Sequence, residues 1–103
     1  MHFYGMVALT NARIERQRAI IDRAALIERL DEIARTHGGT TPDGRRVVLA
    51  ALKETLATGR EEIKRRFDAN EDNGAKGLAT VSEYSFLIDQ LIRVLYDFAF
   101  EYA

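Results

Sequence analysis

The chain has 103 residues, 47% of them hydrophobic and 30% charged, with a formal net charge of −1. That length suits one domain and not two, and the near-neutral charge removes the broad electrostatic attraction on which nonspecific nucleic-acid binding depends. With no cysteine in the sequence, a disulfide framework and a thiolate metal site are both excluded.

The chain starts MHFYGMVALTNARIERQR. Its apolar run, Phe3 to Leu9, is far shorter than the roughly 20 residues that span a bilayer. The arginines follow that run, whereas a secretory signal carries its positive charge ahead of it. The expectation is a cytoplasmic protein with no membrane contact, for which Met6 serves as a start as well as Met1. Residues 1–21 read as an arm, frayed or partly helical, because Ile14 is the only strong apolar residue in NARIERQRAI before Ile20.

The first main helix is expected over about 22–37. Asp22 can accept from the free amides of the first turn, and Ile21 stands at staple distance from Leu26. Leu26, Leu30, Ile33 and Ala34 fall on one face. His37 lies in the last turn, where a protonated imidazole favours the negative end of the helix. Gly38 follows as the left-handed residue.

Thr41-Pro42 opens a second helix, a hydroxyl cap followed by proline where the missing amide costs nothing. It is expected over about 42–68, with an apolar stripe of Val48, Leu52, Leu56, Ile63 and Phe67. From Pro42 to Phe67 that is about 39 Å of helix. Gly59, in line with the stripe, costs up to about 1 kcal/mol against Ala; a bend or a close helix crossing is expected there.

NEDNGAKG, residues 70–77, is polar and reads as a break. Thr80 and Glu83 have capping-box spacing, so the third helix is expected over about 81–102. One face of it carries Tyr84, Leu87 or Ile88, Leu91, Leu95, Phe98 and Tyr102, and a flanking face carries Ile88, Ile92 and Ala99. Two apolar faces ask for two partners, which makes this helix the expected centre of the molecule. The fold class is all-α: three main helices in a small bundle.

Few residues suggest chemistry. Asp68, Asn70 and Asp72 imitate the start of a calcium loop, but Asn73 stands where Gly is needed and Ala79 where a bidentate Glu is needed. Gly38-Gly39 lacks the Lys-Ser/Thr ending of a phosphate loop, and Pro42 removes an amide such a loop would use. His2 and His37 are the only imidazoles, and no nucleophile–base arrangement can be assembled around either. Glu61–Arg65, Glu62–Arg66 and Asp89–Arg93 have helix-pair spacing. The basic runs Lys64–Arg66 and Arg45–Arg46 alternate with Asp43, Glu61, Glu62 and Asp68, which disfavours nucleic acid as a partner. No catalytic, cofactor-binding or metal-ligating residue is assigned.

RQRAIIDR (residues 16–23), VVLAALKETLATGREEIKRRF (47–67) and FLIDQLIRVLYDFA (86–99) carry a resemblance. In their order and wording they resemble the N-terminal helical segment of the bacterial PII uridylyltransferase/uridylyl-removing enzymes. The resemblance implies a parent enzyme that moves UMP from UTP to a tyrosine of the PII nitrogen-signalling protein, using Mg2+, and removes it again in a second domain. The family's transferase signature is Gly-Gly-x-Gly-Arg followed by Ser-Asp-x-Asp. Here Gly38-Gly39 runs into Thr40-Thr41-Pro42 and no Asp-x-Asp occurs, so the resemblance carries no catalytic residue onto this chain.

FLIDQLIRVLYDFAFEYA (86–103) closes the sequence with no Gly, Asn or Pro to stop the helix. The expectation is a segment, 22–103, cut ahead of a nucleotidyltransferase domain that covers the third helix. The alternative is a free-standing interaction module that self-associates through helix 81–102. In a three-helix arrangement Leu91, Leu95 and Phe98 should be buried, and Ile88, Ile92, Ala99 and Tyr102 partly exposed.

Overall fold

A computed structural model describes residues 12–69 and 75–102. His2, the Phe3–Leu9 run and the loop positions Asn70, Asp72, Asn73 and Gly74 lie outside the described residues. Among the described residues there is no strand, and four helices occur: α1 (residues 12–20), α2 (Arg23–His37), α3 (Pro42–Ala69) and α4 (Ala75–Tyr102).

The local signals for α2 and α3 operate as expected. Asp22 Oδ1 accepts from the Ala25 amide at 3.1 Å, and Ile21 and Leu26 are both buried in the core. Gly38 has φ 85° and ψ 144°, and its amide donates to the Ala34 carbonyl. The positive φ turns the chain out of α2 into an extended step. The Thr41 hydroxyl then joins two helices: it donates to the His37 carbonyl at 2.6 Å and accepts from the Gly44 amide at 3.0 Å. One side chain thereby satisfies an orphan carbonyl of α2 and an orphan amide of α3. Gly44 is buried under this corner, where a Cβ would overlap the Gly38 carbonyl oxygen.

The arm is partly helical, as expected, and it is also anchored in the core. Residues 12–20 are helical, and the segment ends on Ile20 and Ile21, which are 3% and 5% exposed and belong to the core. Arg66, on α3, donates to the Arg16 carbonyl of α1. Two adjacent isoleucines hold this turn down, although the helix before them lacks an apolar stripe.

α4 begins at Ala75 rather than near Val81. Thr80 is therefore inside the helix and is not its cap, and the expected capping box with Glu83 does not form. Ala75, Lys76, Leu78 and Ala79 are good helix formers, which carry the helix through Gly77 at a cost of up to about 1 kcal/mol. Glu83 is used across the bundle instead, pairing with Arg66 at 2.6 Å.

α2, α3 and α4 each pack against the other two, so α4 is not the sole centre. Leu30, Ile63 and Leu87 are fully buried at their meeting, each worth about 1.5–3 kcal/mol of apolar burial. The buried line on α3 runs through Gly44, Val48, Ala51, Gly59 and Ile63. Leu52 and Leu56 of the expected stripe are partly buried, and Phe67 is exposed. Gly59 is the closest crossing: a Cβ there would stand 2.7 Å from both Leu87 δ-carbons and 2.8 Å from the Ile20 carbonyl oxygen.

On α4 the buried line is Leu87, Leu91, Val94 and Phe98, with Leu87 and Val94 closed off from solvent. Leu95, expected in the core, is 45% exposed. Val94 and Leu95 stand three and four residues after Leu91, and both spacings keep a residue near one face. Packing against α2 and α3 selects Val94, and Leu95 rotates by about 100° to the flank.

Polar contacts at the seams hold the helices in register. Arg23 of α2 meets Asp97 of α4 at 3.3 Å, Arg29 of α2 meets Glu54 of α3 at 2.8 Å, and the Tyr102 hydroxyl of α4 donates to Asp31 of α2 at 2.9 Å. The arginine pairs are solvent-exposed and contribute at most about 1 kcal/mol each. The hydrogen bond from Tyr102 neutralises no charge, and with the nearby Asp31 carboxylate it raises the phenol pKa above its ordinary value.

Candidate functional site

The titratable clusters among the described residues are ion pairs. His37 Nδ1 lies 2.7 Å from Asp43 Oδ2, and Arg46 reaches the other oxygen of the same carboxylate at 2.6 Å. The Arg46 hydrogen bond first, and that of His37 second, hold the Asp43 carboxyl below its ordinary pKa. The group sits on the surface at the α2–α3 corner and joins His37 of α2 to Asp43 and Arg46 of α3, which clamps the corner. Arg65 forks onto Glu62 at 2.9 and 2.6 Å and lowers that carboxyl's pKa. Arg65 thus takes Glu62 as partner rather than the expected Glu61, while the Glu62–Arg66 and Asp89–Arg93 pairs form at 3.4 and 2.8 Å.

These pairs engage Arg65, Arg66 and Arg46, three of the five cations in the two basic runs, with carboxylates. Asp68 lies in the last turns of α3. Among the described residues no three His, Cys, Asp or Glu side chains are placed to hold a metal ion. The Mg2+ implied by the family resemblance finds no fitting ligand set among the described residues. Among the described residues no helix is long and apolar enough to cross a membrane.

What remains unexplained by the fold is apolar. Leu78, Val81, Ile88, Ile92 and Leu95 are all exposed on α4, Ile92 at 58%. Their spacings of three, seven, four and three make one continuous stripe along the flank of the buried line. Tyr96 and Phe100 widen it near the C-terminal end, Phe100 being 86% exposed. Exposed apolar stripes of this length on a helix mark contact surfaces.

At that end the stripe opens into a groove between α3 and α4 of about 360 Å3. Val48, Leu49 and Leu52 form one wall, and Leu95, Phe98 and Ala99 the other. Gly39 and Thr40 close the base, and Tyr102 and Arg45 stand at the rim. A Cβ at Gly39 would lie 2.6 Å from Tyr102 Cβ, so the glycine is what lets the loop come under α4. Phe98 and Tyr102 hold each other with ring centroids 4.7 Å apart.

The Tyr102 hydroxyl is committed to Asp31. Among the described residues Arg45 is the only charged one lining the groove, and it has no carboxylate partner there. The expected exposure of Ile88, Ile92 and Ala99 is found. The contribution of Leu49 and Arg45, on a different helix, carries no sequence signal beyond an apolar residue off the main stripe.

No family model and no solved structure matches the chain. The bifunctional uridylyltransferase/uridylyl-removing enzyme of Rhodospirillum rubrum is 42% identical over 90 residues, covering 87% of this chain and 9% of that protein. The enzyme of the same name from Erythrobacter litoralis is 35% identical over 89 residues, 86% of this chain and 9% of its own length. That from Novosphingobium aromaticivorans is 35% identical over 85 residues, 82% and 9% respectively. The chain therefore spans 9% of the length of these relatives. The chain is thus similar to one segment of the bifunctional uridylyltransferase/uridylyl-removing enzymes.

Proposed function

We propose that this chain is the N-terminal, non-catalytic helical part of a uridylyltransferase/uridylyl-removing enzyme, and that it packs on the nucleotidyltransferase domain through the exposed stripe of α4. The parent enzyme in this reading transfers UMP from UTP to a tyrosine of the PII protein in the cytoplasm and removes it again, with Mg2+ held by the catalytic part. The observation that carries it is the 42% identity across 87% of the chain. The exposed apolar stripe on α4 supports the docking role. The absence of any Asp-x-Asp in the sequence supports a non-catalytic one.

The test has two arms. The transcript read past codon 103 should encode Gly-Gly-x-Gly-Arg and Ser-Asp-x-Asp; a stop codon in that place overturns the reading. The 103-residue chain alone should transfer no labelled UMP to PII, and label transfer by it would refute the non-catalytic role. A second reading, a free-standing module that self-associates through α4, draws on the same stripe. It requires a concentration-dependent dimer in sedimentation that Ile92→Asp dissolves.

A further inference from the structure

We infer that the groove between α3 and α4 is the seat of an amphipathic helix from the remainder of the enzyme polypeptide, and that this helix carries an acidic residue opposite Arg45. The inference rests on the reading above and adds to it the place, the shape and the charge of the contact.

Three observations select that occupant. The walls are the ridges of two packed helices, Leu49 and Leu52 on α3 and Leu95 and Ala99 on α4. Ridges of this spacing receive the side chains of a third helix, and the small Ala99 between larger neighbours lets its backbone come close. Arg45 is the sole charge on the rim and has no carboxylate among the described residues. Burying an unpaired guanidinium under a partner is costly, so the partner that covers it must supply a carboxylate. Finally, the matched segment is 9% of the relatives' length, which leaves most of such a polypeptide to provide the helix.

Other occupants fit less well. A second copy would offer the flank of its own α4, where Asp89 is paired with Arg93 and Asp97 with Arg23. An anionic lipid surface would meet a helix bearing Glu83, Asp89, Asp97 and Glu101 against Lys76 and Arg93, the wrong balance for membrane attraction. A small polar ligand would find Arg45, the Thr40 hydroxyl and a Tyr102 hydroxyl already committed to Asp31, with apolar walls between them.

Because the chain has no cysteine, single thiols report the contact directly. Leu49→Cys and Leu95→Cys place reporters in the groove, Ile92→Cys places one higher on the stripe, and Thr58→Cys places one by α2, away from the groove. Each variant is reacted with N-ethylmaleimide, alone and with the Rhodospirillum rubrum enzyme lacking its own matched 90 residues. The same reporters are read by peptide mass in a chimera in which this chain replaces those residues, so that a poorly folding truncation does not decide the result.

Protection of at least tenfold is expected at positions 49 and 95 and none at 58. Adding Arg45→Glu should cut the protection at least fivefold, whereas Arg45→Lys should retain most of it. A complex, or a folded active chimera, in which 49 and 95 stay reactive while 92 is protected overturns the groove and leaves the docking reading standing. Absence of a complex together with free reactivity at all positions of the chimera overturns both. Protection of the isolated chain that grows with its own concentration identifies a second copy and also overturns the inference.

Discussion

Replacing Gly59 by Ala sets two known effects against each other in the middle of α3. In an exposed helix the change would stabilise by up to about 1 kcal/mol, because Ala loses less backbone freedom than Gly. At this position the new Cβ would stand 2.7 Å from both Leu87 δ-carbons and 2.8 Å from the Ile20 carbonyl oxygen. Neither neighbour can yield at low cost. The Leu87 side chain is fully buried, and the Ile20 oxygen belongs to the backbone that brings α1 onto α3. Overpacking of this kind costs about 1–3 kcal/mol, occasionally more.

The clash should outweigh the propensity gain and leave a net loss of about 1–2 kcal/mol. For a domain of this size that lowers Tm by roughly 4–16 °C. Gly77→Ala is the internal control, since a Cβ there meets nothing within 4 Å and should stabilise by up to about 1 kcal/mol. Urea and thermal unfolding followed by circular dichroism at 222 nm measure both variants. A Gly59→Ala protein that melts at or above the wild-type temperature would refute the reasoning and place α1 and α4 farther from α3 than described.

Leu87→Ala should cost about 2–5 kcal/mol, because it empties a fully buried position. Leu95→Ala should cost less than about 1 kcal/mol in this chain, where Leu95 is 45% exposed; equal losses in urea denaturation would contradict the buried line through Val94. Asp43→Asn should lower Tm near neutral pH by removing the clamp on His37 and Arg46. The Asp43 pKa is lowered from 3.8 in the fold, so its contribution is present above that value and fades as pH falls below it. Melting curves of the two proteins should therefore converge as pH drops below about 4, and a gap that persists at pH 2 would count against the clamp.

Much of this molecule is written locally. Asp22, the Thr41-Pro42 pair and Gly38 mark the ends of α2 and the start of α3 by the hydrogen bonds their own side chains and backbones can make, and no distant residue is needed to read them. The all-α class and the apolar flank of α4 follow from spacing alone. Gly59 stood out because a glycine costs a helix interior something that only a close crossing would repay. The resemblance to the uridylyltransferases was likewise legible, since it rests on the order of residues and not on their contacts.

Tertiary structure decided the rest. Whether Val94 or Leu95 follows Leu91 into the core depends on the angle at which α4 meets α2 and α3, because spacings of three and four are nearly equivalent on an isolated helix. α4 starts at Ala75, ahead of the Thr80–Glu83 spacing, and Glu83 is engaged by Arg66 from α3 instead of by a cap. Ile20 and Ile21 tie α1 to the core through neighbours more than thirty residues away in sequence, so the arm gave no periodic sign of its anchoring. The groove is a property of two helices at once. Leu49 and Leu95 become walls of one site only when α3 and α4 are set side by side, with Gly39 small enough to pass beneath Tyr102.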